Sequence, residues 1–201
     1  MTTIAVVDCG MGNLHSVLAG VRRTQTTGEV IVATTAAAIH TADKIIFPGD
    51  GNFAACMQAI DAGGLRQALI TAAQEKPFFG ICVGMQVLFS GSAEANVPGL
   101  GIFAATVERL PQQANIKVPH MGWNTGRQQH PHTLTADIKE EEYFYFVHSY
   151  YAPLGDWTIM TCDYGVRFTA ALAYENLVAT QFHPEKSGKS GIRLLENFLN
   201  G

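Results

Sequence analysis

The chain predicts an α/β protein: an open, mostly parallel twisted sheet with helices on both faces, joined by a smaller mixed or antiparallel sheet. Three observations carry this. Short apolar runs alternate with segments of helical spacing through the first half of the chain. Two of those runs end in glycine-rich turns. Beyond about Pro98 the texture changes to short apolar segments separated by turn residues.

Ile4 to Asp8 is an apolar run that reads as the opening strand, followed by the turn Gly10-Met11-Gly12-Asn13. Leu14, Val17, Leu18 and Val21 then recur at helical spacing. The pattern returns with Val30 to Val32 before Ala36 to Ile39, and with Lys44 to Phe47 before the turn Pro48-Gly49-Asp50-Gly51. Phe78 to Ile81 is the next apolar run, and Met85 to Phe89 after it has helical character. Further on, Tyr143 to Val147, Ala170 to Tyr174 and Leu177 to Gln181 have the form of mixed or antiparallel strands. Ile192, Leu194, Leu195, Phe198 and Leu199 indicate a closing amphipathic helix. The polar stretch from Pro111 to Pro131 lacks periodicity and reads as a loop or excursion.

At 201 residues the chain fits one domain, residues 1–201, able to bury about 70% of the surface its unfolded form exposes. No apolar run reaches the roughly 18 residues of a membrane span, and Met1 to Val7 reads as a strand rather than a signal peptide. These features place the protein in the cytoplasm. Its four cysteines are scattered without CxxC spacing, which argues against a zinc site and, in a reducing compartment, against disulfides. A net charge of −4 with no basic cluster speaks against nucleic acid and membrane surfaces as partners.

The chemistry concentrates in Gly80-Ile81-Cys82-Val83-Gly84. A nucleophile on a tight strand-to-helix turn needs small residues two before and two after it, or strand and helix collide. Cys82 between two glycines meets that need, and the unpaired N–H groups of a helix start favour a thiolate. A thiol also needs a base and donors for the oxyanion it creates. Gln181-Phe182-His183-Pro184-Glu185 ends an apolar strand, so His183 and Glu185, two apart, share a face, and Glu185 can orient the imidazole. The oxyanion donors expected are the backbone N–H of Val83 and one from the loop holding Asp50 and Gly51. His148 is a second candidate base or a hydrogen-bonded structural histidine beside a binding loop, and His15, His40, His130 and His132 read as surface residues. No metal or cofactor is expected.

These residues resemble the class I (triad-type) glutamine amidotransferases, marked by a glycine-flanked cysteine elbow and a late His-x-Glu on a flavodoxin-like sheet. Within the family the chain is similar to the branch that supplies ammonia for histidine biosynthesis. The segments Asp8 to Asn13, Pro48 to Gly51, Gly80 to Gln86, Pro119 to Asn124, Tyr145 to Tyr150 and Gln181 to Ser187 match in order, so the resemblance spans essentially the whole chain. Met85 stands where anthranilate-type relatives usually carry histidine. The resemblance implies a Cys82-His183-Glu185 triad that hydrolyses glutamine, with Gly49, Gln86, Ser149 and Tyr150 holding the substrate. It implies a heterodimer whose other member is a (β/α)₈ cyclase subunit, toward which Asn13, Trp123, Tyr145 and Lys186 lie. Ordinary core packing is the competing account of Trp123 and Tyr145.

Three positions depart from the family pattern: Cys9 where tyrosine is usual, Val83 where leucine is usual, and Asp50 where valine is common. A carboxylate facing the site opposes a developing oxyanion, so the Asp50 side chain is expected to turn outward. Rival readings are a glutaminase feeding a pyridoxal phosphate or anthranilate synthase, and a cysteine peptidase-like hydrolase, which does not need the His183-x-Glu185 pair.

Overall fold

The computed structural model describes every residue except Gly12, Gln25 and Asn115, so part of the expected Gly10–Asn13 turn lies outside the described residues. In chain order the elements are β1 (Thr3–Val7), α1 (Leu14–Arg22), β2 (Glu29–Ala33), α2 (Ala36–Thr41), β3 (Lys44–Gly49), α3 (Phe53–Ala62), α4 (Arg66–Glu75), β4 (Phe78–Cys82) and α5 (Val83–Gln86). They continue as β5 (Phe89–Ser92), β6 (Ala95–Pro98), β7 (Phe103–Arg109), β8 (His120–Gln128), β9 (Glu141–His148), β10 (Tyr150–Tyr151), β11 (Thr158–Asp163), β12 (Arg167–Tyr174), β13 (Leu177–Thr180) and α6 (Gly188–Asn200).

A nine-stranded sheet has the order β2-β1-β3-β4-β13-β12-β11-β8-β9. From β2 to β13 neighbours run parallel, and from β13 to β9 they run antiparallel. A four-stranded sheet, β10-β7-β5-β6, completes the fold. The later strands therefore extend the large sheet, and the small one forms from segments near the elbow.

All five residues of β4 are buried. Because successive side chains point to opposite faces, both faces are covered: on one, Phe79 meets Phe198 of α6, and on the other Phe78 packs beside Phe47 of the neighbouring strand β3. α1 packs on α6, and α2 on α4. Side-chain oxygens of Asn13, Thr35 and Asn52 cap α1, α2 and α3 by accepting first-turn N–H groups. α3 and α4, two helices beyond those expected, bury Phe53, Cys56, Met57 and Ile60 and then Ala68, Leu69, Ala72 and Ala73 at helical spacing.

Two expectations are corrected. The segment read as a loop between Pro111 and Pro131 contains β8, which pairs with β9 from His120↔His148 to Arg127↔Glu141. Its own residues are too polar to announce a strand; the aromatic run of β9 supplies the packing. The helix expected through Phe89 stops after one turn at Gln86. The Val87, Leu88 and Phe89 carbonyls accept from the N–H groups of Leu100, Ile102 and Gly101, which draws the chain into the small sheet.

The strand order places the site. β13 lies parallel beside β4 with Thr180 opposite Ile81, and β3 lies on the other side with Gly49 opposite Cys82. Three strand ends thus converge on one edge, where open α/β sheets bind ligands. They converge only because the elbow is stripped of side chains. A Cβ on Gly84 would sit 2.0 Å from the Phe47 carbonyl oxygen, one on Gly49 2.4 Å from Gly84 N, and one on Gly80 2.7 Å from Gly84 O.

Gly84→Ala is therefore expected to destabilise the fold by about 3 kcal/mol, the upper end of overpacking costs. A urea denaturation midpoint indistinguishable from the parent would show that β3 yields without cost.

Candidate active site

Cys82 has φ 56° and ψ −112°, in the left-handed half of backbone space that a side chain rarely enters. The turn lifts the sulfur off the end of β4 into the edge of a cleft. Sγ lies 3.9 Å from the Val147 carbonyl, which accepts from the thiol, and 3.8 Å from Gln181 Nε2, which donates to the sulfur. Val83 opens α5, so its N–H is among those a helix start leaves unpaired. With four residues the helix contributes local N–H groups and little macrodipole.

His183 Nδ1 is 2.8 Å from Glu185 Oε1, with side-chain exposures of 3% and 0%. Since a carboxylate only accepts, Nδ1 is the protonated nitrogen and Nε2 faces away from Glu185. The common direction of the two side chains does not come from a strand. β13 ends at Thr180, and Pro184–Lys186 is a 3₁₀ turn. His183 is held by its own backbone: its N–H donates to the Tyr145 carbonyl (2.9 Å), and its carbonyl accepts from Ser187 Oγ (2.6 Å). Helices close in on this turn through Gly20 of α1, where a Cβ would meet Glu185 Cβ at 2.8 Å, and Gly191 of α6, where one would meet the Pro184 oxygen at 2.0 Å.

Burial alone would lower the basicity of His183. The neighbouring Cys82 sulfur and the Glu185 carboxylate outweigh it and push the imidazole up to about 10. Nε2 is buried without a hydrogen-bond partner among the described residues, and the Cys82 sulfur is near enough to raise the basicity of the ring. The arrangement is a thiol beside a strongly basic imidazole that is backed by a carboxyl group. It can attack an acyl or amide carbon and supply a proton to the leaving group.

The cleft beside Cys82 has a volume of about 190 Å³, lined among others by Asp50, Gly51, Val83, Gln86, Ser149 and Tyr150. That suits one small molecule, below the ~300 Å³ at which drug-sized pockets begin. Gly49 is not among the lining residues; it lies under the elbow against Gly84. Asp50 is exposed, yet its carboxylate folds back so that Oδ1 accepts the Gly51 N–H at 2.8 Å. An exposed Asp satisfies the nearest free N–H, so in this structure the Gly51 N–H is not a free donor.

The match to the family model described as "Glutamine amidotransferase class-I" covers residues 5–201. The chain belongs to this family. Among curated relatives of this amidotransferase, the imidazole glycerol phosphate synthase subunit HisH of Dechloromonas aromatica is 48% identical, over 98% of this chain and 95% of its own. The HisH subunit of Neisseria meningitidis serogroup A is also 48% identical, over 98% of each chain. Among solved structures, one described as a glutamine amidotransferase matches with a TM-score of 0.74 at 18% identity, over 98% of this chain and 97% of that one. PurLQS from Thermotoga maritima matches with a TM-score of 0.74 at 15% identity, over 99% and 98%. At such identities the structures speak for the fold.

The residues that the family resemblance assigns to a partner face lie at the start of α1, on β8 and β9, and in the triad turn. Trp123 is 56% exposed and meets half-buried Tyr145 edge to face at 6.1 Å across the β8–β9 pair, so core packing does not account for the tryptophan. Met121 and Tyr143 are exposed on the same strands, and Lys186 is exposed beyond the triad turn. Asn13 is half-buried and caps α1.

Two polar groups went unremarked in the sequence. Glu94, in the β5–β6 turn, lines the cleft, and its Oε2 accepts the Phe53 N–H at the start of α3 (2.7 Å); a single Glu in a turn carries no sequence signal. His120 is buried with Nδ1 3.0 Å from His148 Nε2, and only the register of β8 against β9 reveals that pairing. Burial pushes His120 down to about 4. Burial, with the charges of His120 and His183, pushes His148 down to about 3.

Two outcomes follow from these environments. Glu185→Gln should lower kcat by roughly 10²-fold and His183→Ala by roughly 10⁴-fold, since orienting a base contributes less than being one; equal losses in a glutamate-release assay would contradict the assignment. Because both buried histidines titrate below the ordinary value of about 6.5, their contribution to stability is complete above that pH and declines below it, toward about 4 and 3. Each should cost about 2 kcal/mol at pH 5 relative to neutrality. Denaturation curves of the parent and of His148→Asn, compared at pH 7 and pH 5, isolate the His148 share; a difference independent of pH would refute it.

Proposed function

We infer that this chain is the glutaminase subunit of imidazole glycerol phosphate synthase, acting as one amidotransferase domain in histidine biosynthesis. The observation that carries the reading is the buried Cys82-His183-Glu185 arrangement beside a cleft sized for one amino acid. The Cys82 thiolate attacks the side-chain amide carbon of glutamine, and the Val83 N–H stabilises the oxyanion. His183 protonates the amide nitrogen of the tetrahedral intermediate, so that the C–N bond breaks and nitrogen leaves as neutral ammonia. The imidazole then takes a proton from water, which releases glutamate from the thioester, while Glu185 holds the ring and balances its charge. Gln86, Ser149 and Tyr150 position the substrate, and the Glu94 carboxylate suits its α-ammonium group.

The second oxyanion donor comes from the Asp50–Gly51 loop. In the chain alone the Gly51 N–H is engaged by Asp50, so the hole is complete only after that contact is given up. Gly51, at φ +81°, leaves the loop free to rotate. This is where acceptor binding in the partner acts on glutamine hydrolysis.

Free ammonia is mostly protonated near neutral pH, so it must pass along a water-poor route to its acceptor. The partner is the (β/α)₈ cyclase subunit, which turns the phosphoribulosyl substrate and ammonia into imidazole glycerol phosphate and an aminoimidazole carboxamide ribotide. The heterodimer forms in the cytoplasm, on the side carrying Asn13, Trp123, Tyr145 and Lys186. The curated relatives named for this synthase favour it over pyridoxal phosphate or anthranilate partners and over a peptidase-like hydrolase.

In the assembled complex, Cys82→Ala should abolish glutamine-dependent product formation, by at least about 10⁴-fold, and leave ammonia-dependent formation within about twofold of the parent. Glutamate release by the parent should rise when cyclase and its acceptor are added. Loss of both activities in the variant, or glutamate release indifferent to the cyclase, would overturn the reading.

A further inference from the structure

A line of polar side chains runs from Cys82 to β11, and the proton positions along it can be assigned. Gln181 Nε2 donates to Cys82 Sγ, and Gln181 Oε1 accepts from Gln86 Nε2 at 3.1 Å. Gln86 Nε2 also donates to the Tyr150 carbonyl at 2.9 Å, and His148 Nδ1 lies 2.9 Å from that same oxygen. His148 Nε2 meets His120 Nδ1 at 3.0 Å, and His120 Nε2 meets Asn124 Nδ2 at 3.2 Å.

The proton positions can be read from both ends. A carbonyl only accepts, so His148 Nδ1 carries a proton. At the other end Asn124 Oδ1 accepts the Thr125 N–H and Nδ2 donates to the Asp163 carbonyl, so Nδ2 faces His120 and donates to its Nε2. His120 is then protonated on Nδ1 and donates to His148 Nε2. Both ends yield one assignment, in which each ring is neutral and neither has a free nitrogen. Tyr164 stacks on the His120 ring at 3.8 Å and 15°, and Phe146 stacks at 4.9 Å, which fixes its plane.

We propose that His120 and His148 form a neutral imidazole relay that positions the Tyr150 carbonyl, and through it Gln86 and the Ser149–Tyr150 wall of the cleft, for binding glutamine. The proposal rests on reading the cleft as the glutaminase site. It settles the two roles open to His148: with both nitrogens engaged it does not take a proton from substrate, and it acts as a positioning residue. The Tyr150 carbonyl needs such support. It belongs to a two-residue strand, β10, at the edge of the small sheet, and it is the point on which Gln86 and His148 converge.

The test uses the complex with the cyclase and its acceptor, with glutamate release as the readout. His148→Phe keeps the ring and removes both hydrogen bonds; it should raise the KM for glutamine about tenfold, what one hydrogen bond to a buried carbonyl is worth, with kcat within about threefold of the parent. His148→Asn places an amide N–H where Nδ1 stood and should bring KM back to within about threefold. Equal KM shifts in Phe and Asn variants, or a fall in kcat at unchanged KM, would overturn the relay. If the Phe variant does not fold, the ¹⁵N spectra of the parent's histidines decide. Neutral, Nδ1-protonated rings for both residues at pH 7 support the proposal, and an Nε2-protonated or charged His148 refutes it. A parent complex that releases no glutamate would refute the glutaminase reading instead, and the tautomers would still be read.

Discussion

The site depends on one backbone constraint, the left-handed conformation of Cys82 at the end of a strand buried on both faces. A non-glycine residue there costs on the order of 1–3 kcal/mol and persists only where its surroundings allow no alternative. Here the constraint is mutual. Gly84 touches the Phe47 carbonyl, Gly49 lies under Gly84, and Gly80 faces the Gly84 carbonyl, so the turn and the end of the neighbouring strand are held as one unit. The strain locates the sulfur, and the missing side chains let the strand bearing the loop approach it.

The second demand is electrostatic. Glu185 is fully buried and its Oε2 has no hydrogen-bond partner among the described residues, an expensive state for a carboxylate. Packing alone would favour an apolar residue at that position. The group is tolerated because His183 stands 2.8 Å away, its basicity raised by the Cys82 sulfur as well as by Glu185. Three groups that would each be unfavourable alone stabilise one another, with Gly20 and Gly191 letting two helices shut out water around them.

How much of this was legible in the sequence follows from how local each feature is. The elbow and the His-x-Glu are patterns within five residues, and parallel-strand topology brings their ends together, so the grouping of Cys82 with His183 and Glu185 was readable. The reason offered for His183 and Glu185 sharing a direction was not correct, because a 3₁₀ turn replaces the strand there. β8 was illegible because its partner strand supplies the apolar character that it lacks. The His120–His148 contact joins residues 28 positions apart through strand register, which no single-residue property announces. Asp50 was legible as a problem but not in its outcome, since a rotamer decides which N–H its carboxylate finds.

The two walls of the cleft consequently differ in how firmly they are held. On the Ser149–Tyr150 side each polar group of the relay has a hydrogen-bond partner, so rotating the Tyr150 peptide would strand Gln86 and His148 donors together, at roughly 1–3 kcal/mol for each unsatisfied group. On the Asp50–Gly51 side the carboxylate contact joins adjacent residues, and it comes from an exposed side chain for which water is a ready substitute. Giving up that contact costs little, and the glycine at φ +81° imposes no side-chain barrier on the movement. On the proposed reading, the Asp50–Gly51 loop is the side of the cleft that can move at little cost, and the opposite wall is the fixed one.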